Sequence, residues 1–368
     1  MTALMGVKRD YRAVSYALCS AVAGVLLMRI IVYFADIGGG DYGGMLASDA
    51  LFTLPVQLIF FLTVPFCIYK FYGGRTVKQV LTYSSCSKFK PYYLLAVPLG
   101  LCVYFITLGV SSVWAALLEL TGYVYVSSEP SMPQTFNFGF MFAEILMTAL
   151  LPAVCEEFIM RGGMLTTAKR TWGIVGCTVL CGIAFGLFHQ NVRQVFYTSL
   201  FGALAAFMTL KLKSVYPAML MHFTNNFCSV YLSYADNYDW AVGGGFFPTI
   251  DALASGRIWA LALLFVCAFA VGGGLVAVML YFRDKKVLEN KMETLKDAAF
   301  DVTNKRVVLM GEFDPERIER LEMEKEVYGS DYQEQKYRPV LRDVMIAIGL
   351  AVVTLCTTVF TYVWGFFY

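Results

Sequence analysis

Stretches poor in charge recur along the whole chain, each long enough to cross a hydrocarbon core of about 30 Å as a helix. Nine are legible: Ala13–Asp36, Ala50–Tyr72, Tyr92–Leu118, Phe138–Met160, Trp172–Phe188, Arg193–Leu210, Val215–Leu232, Ile258–Phe282 and Asp343–Phe366. The pattern predicts an all-α fold, a polytopic helical membrane protein of about nine transmembrane helices with a small helical cytoplasmic insert. The first stretch exceeds a signal-peptide core and lacks a cleavage pattern, so it is expected to stay as an anchor. The division this suggests is 1–137 for the first three helices, 138–233 for a central core of four, 234–282 for an outside loop and the eighth helix, 283–340 for the insert, and 341–368 for the last helix.

The polar residues between the stretches set an orientation. Of 29 Lys and Arg, 24 fall in segments 1–12, 73–91, 161–171, 211–214 and 283–340. The alternate connections hold only Arg193 and Arg257. Basic residues mark the cytoplasmic side, so the N-terminus is expected inside and the C-terminus outside, in the cell membrane. Segment 283–340 carries 12 basic and 14 acidic residues and reads as a solvated helical hairpin or a docking element. Asp314-Pro315-Glu316 is a helix start, predicting one helix from about Pro315 to Val327, while another extends the eighth span through Lys296.

Composition sharpens this picture. The chain is 58% apolar and only 15% charged, which excludes a disordered protein, a nucleic-acid binder and an ordinary cytosolic enzyme. A net charge of +2 argues for no charged partner. Nine of the ten cysteines lie in spans and contain no CxxC, so they read as small buried hydrophobes. The Gly-rich segments 38–44 and 243–245 read as outside loops.

Ionisable residues inside a bilayer are costly and mark sites. The fourth span carries Glu156-Glu157-Phe-Ile-Met-Arg161. Glu157 and Arg161 are four apart with the acid first, the favoured order for a helical ion pair. Glu156 points about 100° away and lacks that partner, which suits it to taking a proton from water. The two histidines of the chain both lie in or at the edge of spans, as Phe185-Gly-Leu-Phe-His189 and His222-Phe-Thr-Asn-Asn226.

Glu156 and His189 are equidistant from the turn at Arg170–Gly173, about 25 Å along each helix. His222 lies about 13 Å above its own turn at Lys211–Lys213. These depths agree if the 161–175 hairpin projects about 10 Å into the cytoplasm, which predicts a site in the cytoplasmic half of the membrane, with substrate cut on that side.

Glu156, His189, His222 and Asn226 fit hydrolysis. A carboxylate takes a proton from water, one histidine orients that water, and a His/Asn pair donates to an oxyanion. Glu156, His189 and His222 are also a candidate ligand set for a divalent metal such as zinc. No HExxH and no GxSxG with a partner histidine is present. Gly38-Gly-Gly-Asp41 and Tyr238-Asp239 lie in loops and in the wrong order for an aspartyl intramembrane protease. A transporter or channel using Arg29, Glu144 and the Glu156/Glu157 pair is the non-enzyme alternative, although no span repeat supports it.

EExxxR on one span, FxxxH on the next and HxxxN two spans later resemble the motifs of the CPBP intramembrane proteases. That family includes the CAAX prenyl endopeptidases and the bacterial Abi proteins linked to bacteriocin processing and self-immunity. The resemblance covers roughly 138–232 and implies a membrane endopeptidase acting on a peptide or protein substrate. It implies that Glu156 activates water with His189 beside it, that His222 and Asn226 stabilise the tetrahedral intermediate, and that Glu157 and Arg161 belong to the same catalytic group. A non-catalytic scaffold or immunity protein on the same fold is the other member of that class.

Overall fold

The computed structural model describes residues 3–35, 40–86, 88–124, 130–169, 171–301 and 341–364, with side chains from residue 9 to 290 and from 344 to 363 within those ranges. The helix predicted after Pro315 lies outside the described residues. Among those that are described there are helices and turns and no strand.

Among the described residues eleven helices follow one another: α1 Ala3–Ala35, α2 Tyr42–Tyr72, α3 Val77–Tyr83, α4 Pro91–Leu120, α5 Phe138–Ala168, α6 Ile174–Phe188, α7 Val192–Leu212, α8 Tyr216–Asn237, α9 Phe246–Gly256, α10 Ile258–Asp301 and α11 Leu341–Trp364. Seven of them, α1, α2, α4, α5, α7, α10 and α11, are long and apolar enough to cross a membrane. This is a multi-pass helical membrane protein. All nine predicted stretches are helical, yet two fall short of the spanning criteria. Helix α6 has 15 residues, about 22 Å. Helix α8 has 22 but carries a string of polar residues. Helix α8 lies in the bundle interior, where a helix need not match lipid, whereas α6 packs one face on α7 and leaves Val175, Val179 and Ile183 exposed on the other.

Two boundaries differ from expectation. Helix α2 starts at Tyr42 rather than Ala50, because Asp41 caps it by accepting from the Gly44 amide at 2.7 Å. The expected loop over 38–44 thus ends at Asp41. Helix α5 continues through Ala168, so Arg161 lies not in a cytoplasmic connection but inside the bundle, fully buried. Its charge is met there, as described below, and that removes the reason to leave the membrane.

Prolines and glycines shape the central helices. Pro152 has no N–H to offer the carbonyl of Thr148 four residues earlier, and α5 widens into a π-helical stretch over Ile145–Leu150. A second such stretch, Phe158–Leu165, follows Glu157. In the α6–α7 hairpin a Cβ at Gly182 would sit 2.7 Å from the Ser199 carbonyl, so only glycine permits the two backbones to come this close. The apolar core gathers Ala21, Phe61, Leu99, Ile159, Met208 and Met221 from six helices into one cluster.

Candidate active site

Three of the helices deliver the predicted polar residues to one cavity of about 580 Å³. Glu156 comes from α5, His189 from the end of α6, and His222 and Asn226 from α8. Phe185 and Phe201 form the aromatic wall between them. The His222 ring lies 4.9 Å from that of Phe201 and the His189 ring 4.9 Å from that of Phe185.

Each histidine has one nitrogen fixed. His189 Nδ1 lies 2.9 Å from the Phe185 carbonyl oxygen. A carbonyl only accepts, so Nδ1 carries the proton and, in the neutral ring, Nε2 is an acceptor. His222 Nδ1 lies 2.9 Å from Glu157 Oε1. An ionised carboxylate likewise only accepts, so this Nδ1 is protonated as well. With Nδ1 protonated, Nε2 is an acceptor in the neutral ring and a donor in the fully protonated one.

Glu157 and Arg161 do not line the cavity. They stand behind it, both 0% exposed. Arg161 Nη1 pairs with Glu157 Oε1 at 3.1 Å, as the i, i+4 spacing predicts. Arg161 Nη2 donates to the Gly202 carbonyl at 3.2 Å, and the guanidinium lies 4.3 Å from the centre of the Phe185 ring. One carboxylate oxygen therefore ties α5 to α8, and one guanidinium ties α5 to α6 and α7.

Glu156 has no cationic partner. Its Oε1 accepts from Gln57 Nε2 at 2.9 Å, and its Oε2 is buried without a protein partner. Gln57, on α2, is a cavity residue that the sequence analysis missed. The signal was available: a polar side chain in the middle of a span.

Asn226 is held on both sides of its amide. Its Nδ2 donates to the Thr148 carbonyl at 2.8 Å, the same carbonyl that Pro152 leaves without an α-helical partner. Its Oδ1 accepts from Asn225 Nδ2 at 2.9 Å, and Asn225 in turn accepts from Thr107 at 3.2 Å. One N–H of Asn226 remains for a ligand. The α6–α7 turn that ends at His189 is braced from three sides. Trp114 Nε1 donates to the Val192 carbonyl at 2.7 Å, the Val192 amide donates to Thr361 at 2.9 Å, and Arg29 donates to the His189 carbonyl at 3.4 Å.

Glu144 lies apart from the cavity and accepts from Tyr234 at 2.8 Å and from Tyr42. Among the described residues no three His, Cys, Asp or Glu side chains are spaced to hold a metal ion.

Fold and cavity define a polytopic helical membrane protein with a carboxylate, two imidazoles and an amide gathered at membrane depth. Residues 137–228 match the family model described as Rce1-like, type II CAAX prenyl endopeptidase. At the level of that domain the likeness is to an intramembrane protease. The match covers about a quarter of the chain and contains every predicted site residue. No curated protein and no solved structure matches the chain.

Proposed function

We propose that this protein is an intramembrane endopeptidase that hydrolyses a peptide bond with water activated by Glu156. The observation that carries the reading is the convergence of Glu156, His189, His222 and Asn226 from three helices on one cavity. Glu156 takes a proton from water, and His189 Nε2 accepts the water's other hydrogen to orient it. The oxygen attacks the peptide carbonyl. Charge that develops on the carbonyl oxygen is met by His222 Nε2–H and by the remaining N–H of Asn226. Glu156 then returns its proton to the leaving amine as the C–N bond breaks, which restores the carboxylate.

In this reading Glu157 and Arg161 are positioning residues. Glu157 fixes the His222 ring; Arg161 neutralises Glu157 where no water reaches. No step is routed through a metal. The test compares membranes that carry the wild-type protein with membranes that carry Glu156→Ala, by mass spectrometry of peptide termini. Termini found only with the wild type are expected, and their complete absence ends the peptidase reading.

A further inference from the structure

The cavity has a direction. At the level of the imidazoles its walls are closed, with Phe185, Phe201 and His222 at 1%, 5% and 4% exposure. Beyond them, towards the start of α8 and the ends of α5 and α7, lie Ile159, Met160, Met208, Leu212, Ala218 and Met221, each at 1% or less. That end is a plug of side chains. Towards the other end the walls open: Thr148 and Ser229 are exposed, and Thr53, Ser111 and Gln194 are half-buried. Ser229 lies seven residues beyond His222 on α8, about 10 Å along the helix.

The open end is where α2, α5 and α7 begin and α4 and α8 finish. The segments of sequence that join helices at that end, 36–41, 121–137, 189–191 and 238–257, contain a single basic residue, Arg257. The connections at the plugged end, 73–90, 169–173 and 213–215, contain seven. Short connections rich in Lys and Arg stay in the cytoplasm. The plug therefore faces the cytoplasm and the mouth faces out, opposite to the side that helix register alone suggested. Register compared depths measured along helices; it carried no information about which side of the site is filled.

We infer that substrate reaches this cavity from the extracytoplasmic face, as an extended segment next to the membrane on the outer side of an anchored protein or peptide. What is cut rests on the peptidase reading; the side of access does not. From mouth to imidazoles the depth of about 10 Å admits about three extended residues, so a folded segment is excluded. Hydroxyls of Thr53, Ser111, Thr148 and Ser229 line the way in, where a peptide backbone entering from water needs hydrogen-bond partners.

Two measurements separate access from chemistry. Ser229→Cys is treated in intact cells with a membrane-impermeant maleimide, with the unsubstituted protein as baseline and Lys169→Cys as the marker of the plugged side. Native Cys86, in the connection after α3, adds little background, because burial pushes its thiol up to about 11. Ser229→Cys is expected to gain label in intact cells, and Lys169→Cys only after permeabilisation. The reverse pattern overturns the inference. In the comparison with Glu156→Ala, wild-type-specific termini are expected in outer segments. If they map to cytoplasmic segments the inference falls and the peptidase reading stands. If none appear while Ser229→Cys labels from outside, the access stands and the peptidase reading falls.

Discussion

Glu156 and Glu157 are neighbours of identical chemistry on one helix, and they occupy opposite kinds of place. Glu157 faces a sealed pocket where a guanidinium and an imidazole share its Oε1. Glu156 faces the cavity and is held only by the amide of Gln57. A turn of about 100° around the axis of α5 separates a carboxylate tied to charges from one that faces a cavity. The same contrast extends to the helices beyond them. On the sealed side α5 is tied to α6, α7 and α8 through charged and aromatic contacts. On the open side a few hydrogen bonds leave one oxygen and one N–H unspent. Helix phase, not residue type, assigns the roles.

The comparison breaks first at Glu156. Replacing it with Gln keeps shape and hydrogen bonding but removes the proton acceptor. Turnover is expected to fall by about 10³-fold or more, with the melting temperature in detergent unchanged. Full activity in Glu156→Gln would remove it as the base. The sealed side should answer in the opposite currency. Arg161→Met strands the Glu157 carboxylate and is expected to lower stability by about 3–5 kcal/mol, read as earlier unfolding by thermal scan. Adding Glu157→Gln to that variant should recover part of the loss, whereas no recovery would show that the pair is not the cause.

A smaller effect sharpens the open side. Gln57→Met keeps volume and removes the donor to Glu156. The expectation is a fall in kcat of about 10-fold with KM and melting temperature unchanged, since a bond that only positions the carboxylate acts on the chemical step. A loss of stability with kcat intact would make Gln57 a packing residue. The smallest effect is expected from metal removal. Treating the purified protein with a chelator should leave peptide hydrolysis as it was, because in the proposed route Glu156 and His189 activate the water without a metal. Loss of activity that zinc restores would reverse that.

Much of this was legible before any coordinates. The Glu157–Arg161 pair followed from i, i+4 spacing, and the two histidines stood out as the chain's full complement, both at membrane depth. The partner of His222 was not legible. It lies 65 residues away on another helix, and no periodicity links α5 to α8 over that distance. Gln57 lies 99 residues from the carboxylate it holds. The link between Pro152, the carbonyl of Thr148 and Asn226 needs the α5–α8 contact to exist before a missing N–H in one helix becomes a binding point for another.

The sequence by itself determined which segments are helical, since apolar runs of spanning length allow little else in a bilayer. It also singled out the polar residues within those segments, Glu156, His189, His222 and Asn226, that line one cavity. Tertiary structure decided how those residues divide. Rotation of α5 against its neighbours placed one glutamate among charges and the other at a cavity. The packing of α8 inside the bundle excused it from the apolarity that lipid demands. The filling of one end of the cavity by large apolar side chains decided where it opens. These are properties of contact between distant segments, and a linear pattern records spacing along one helix but not the phase of one helix against another.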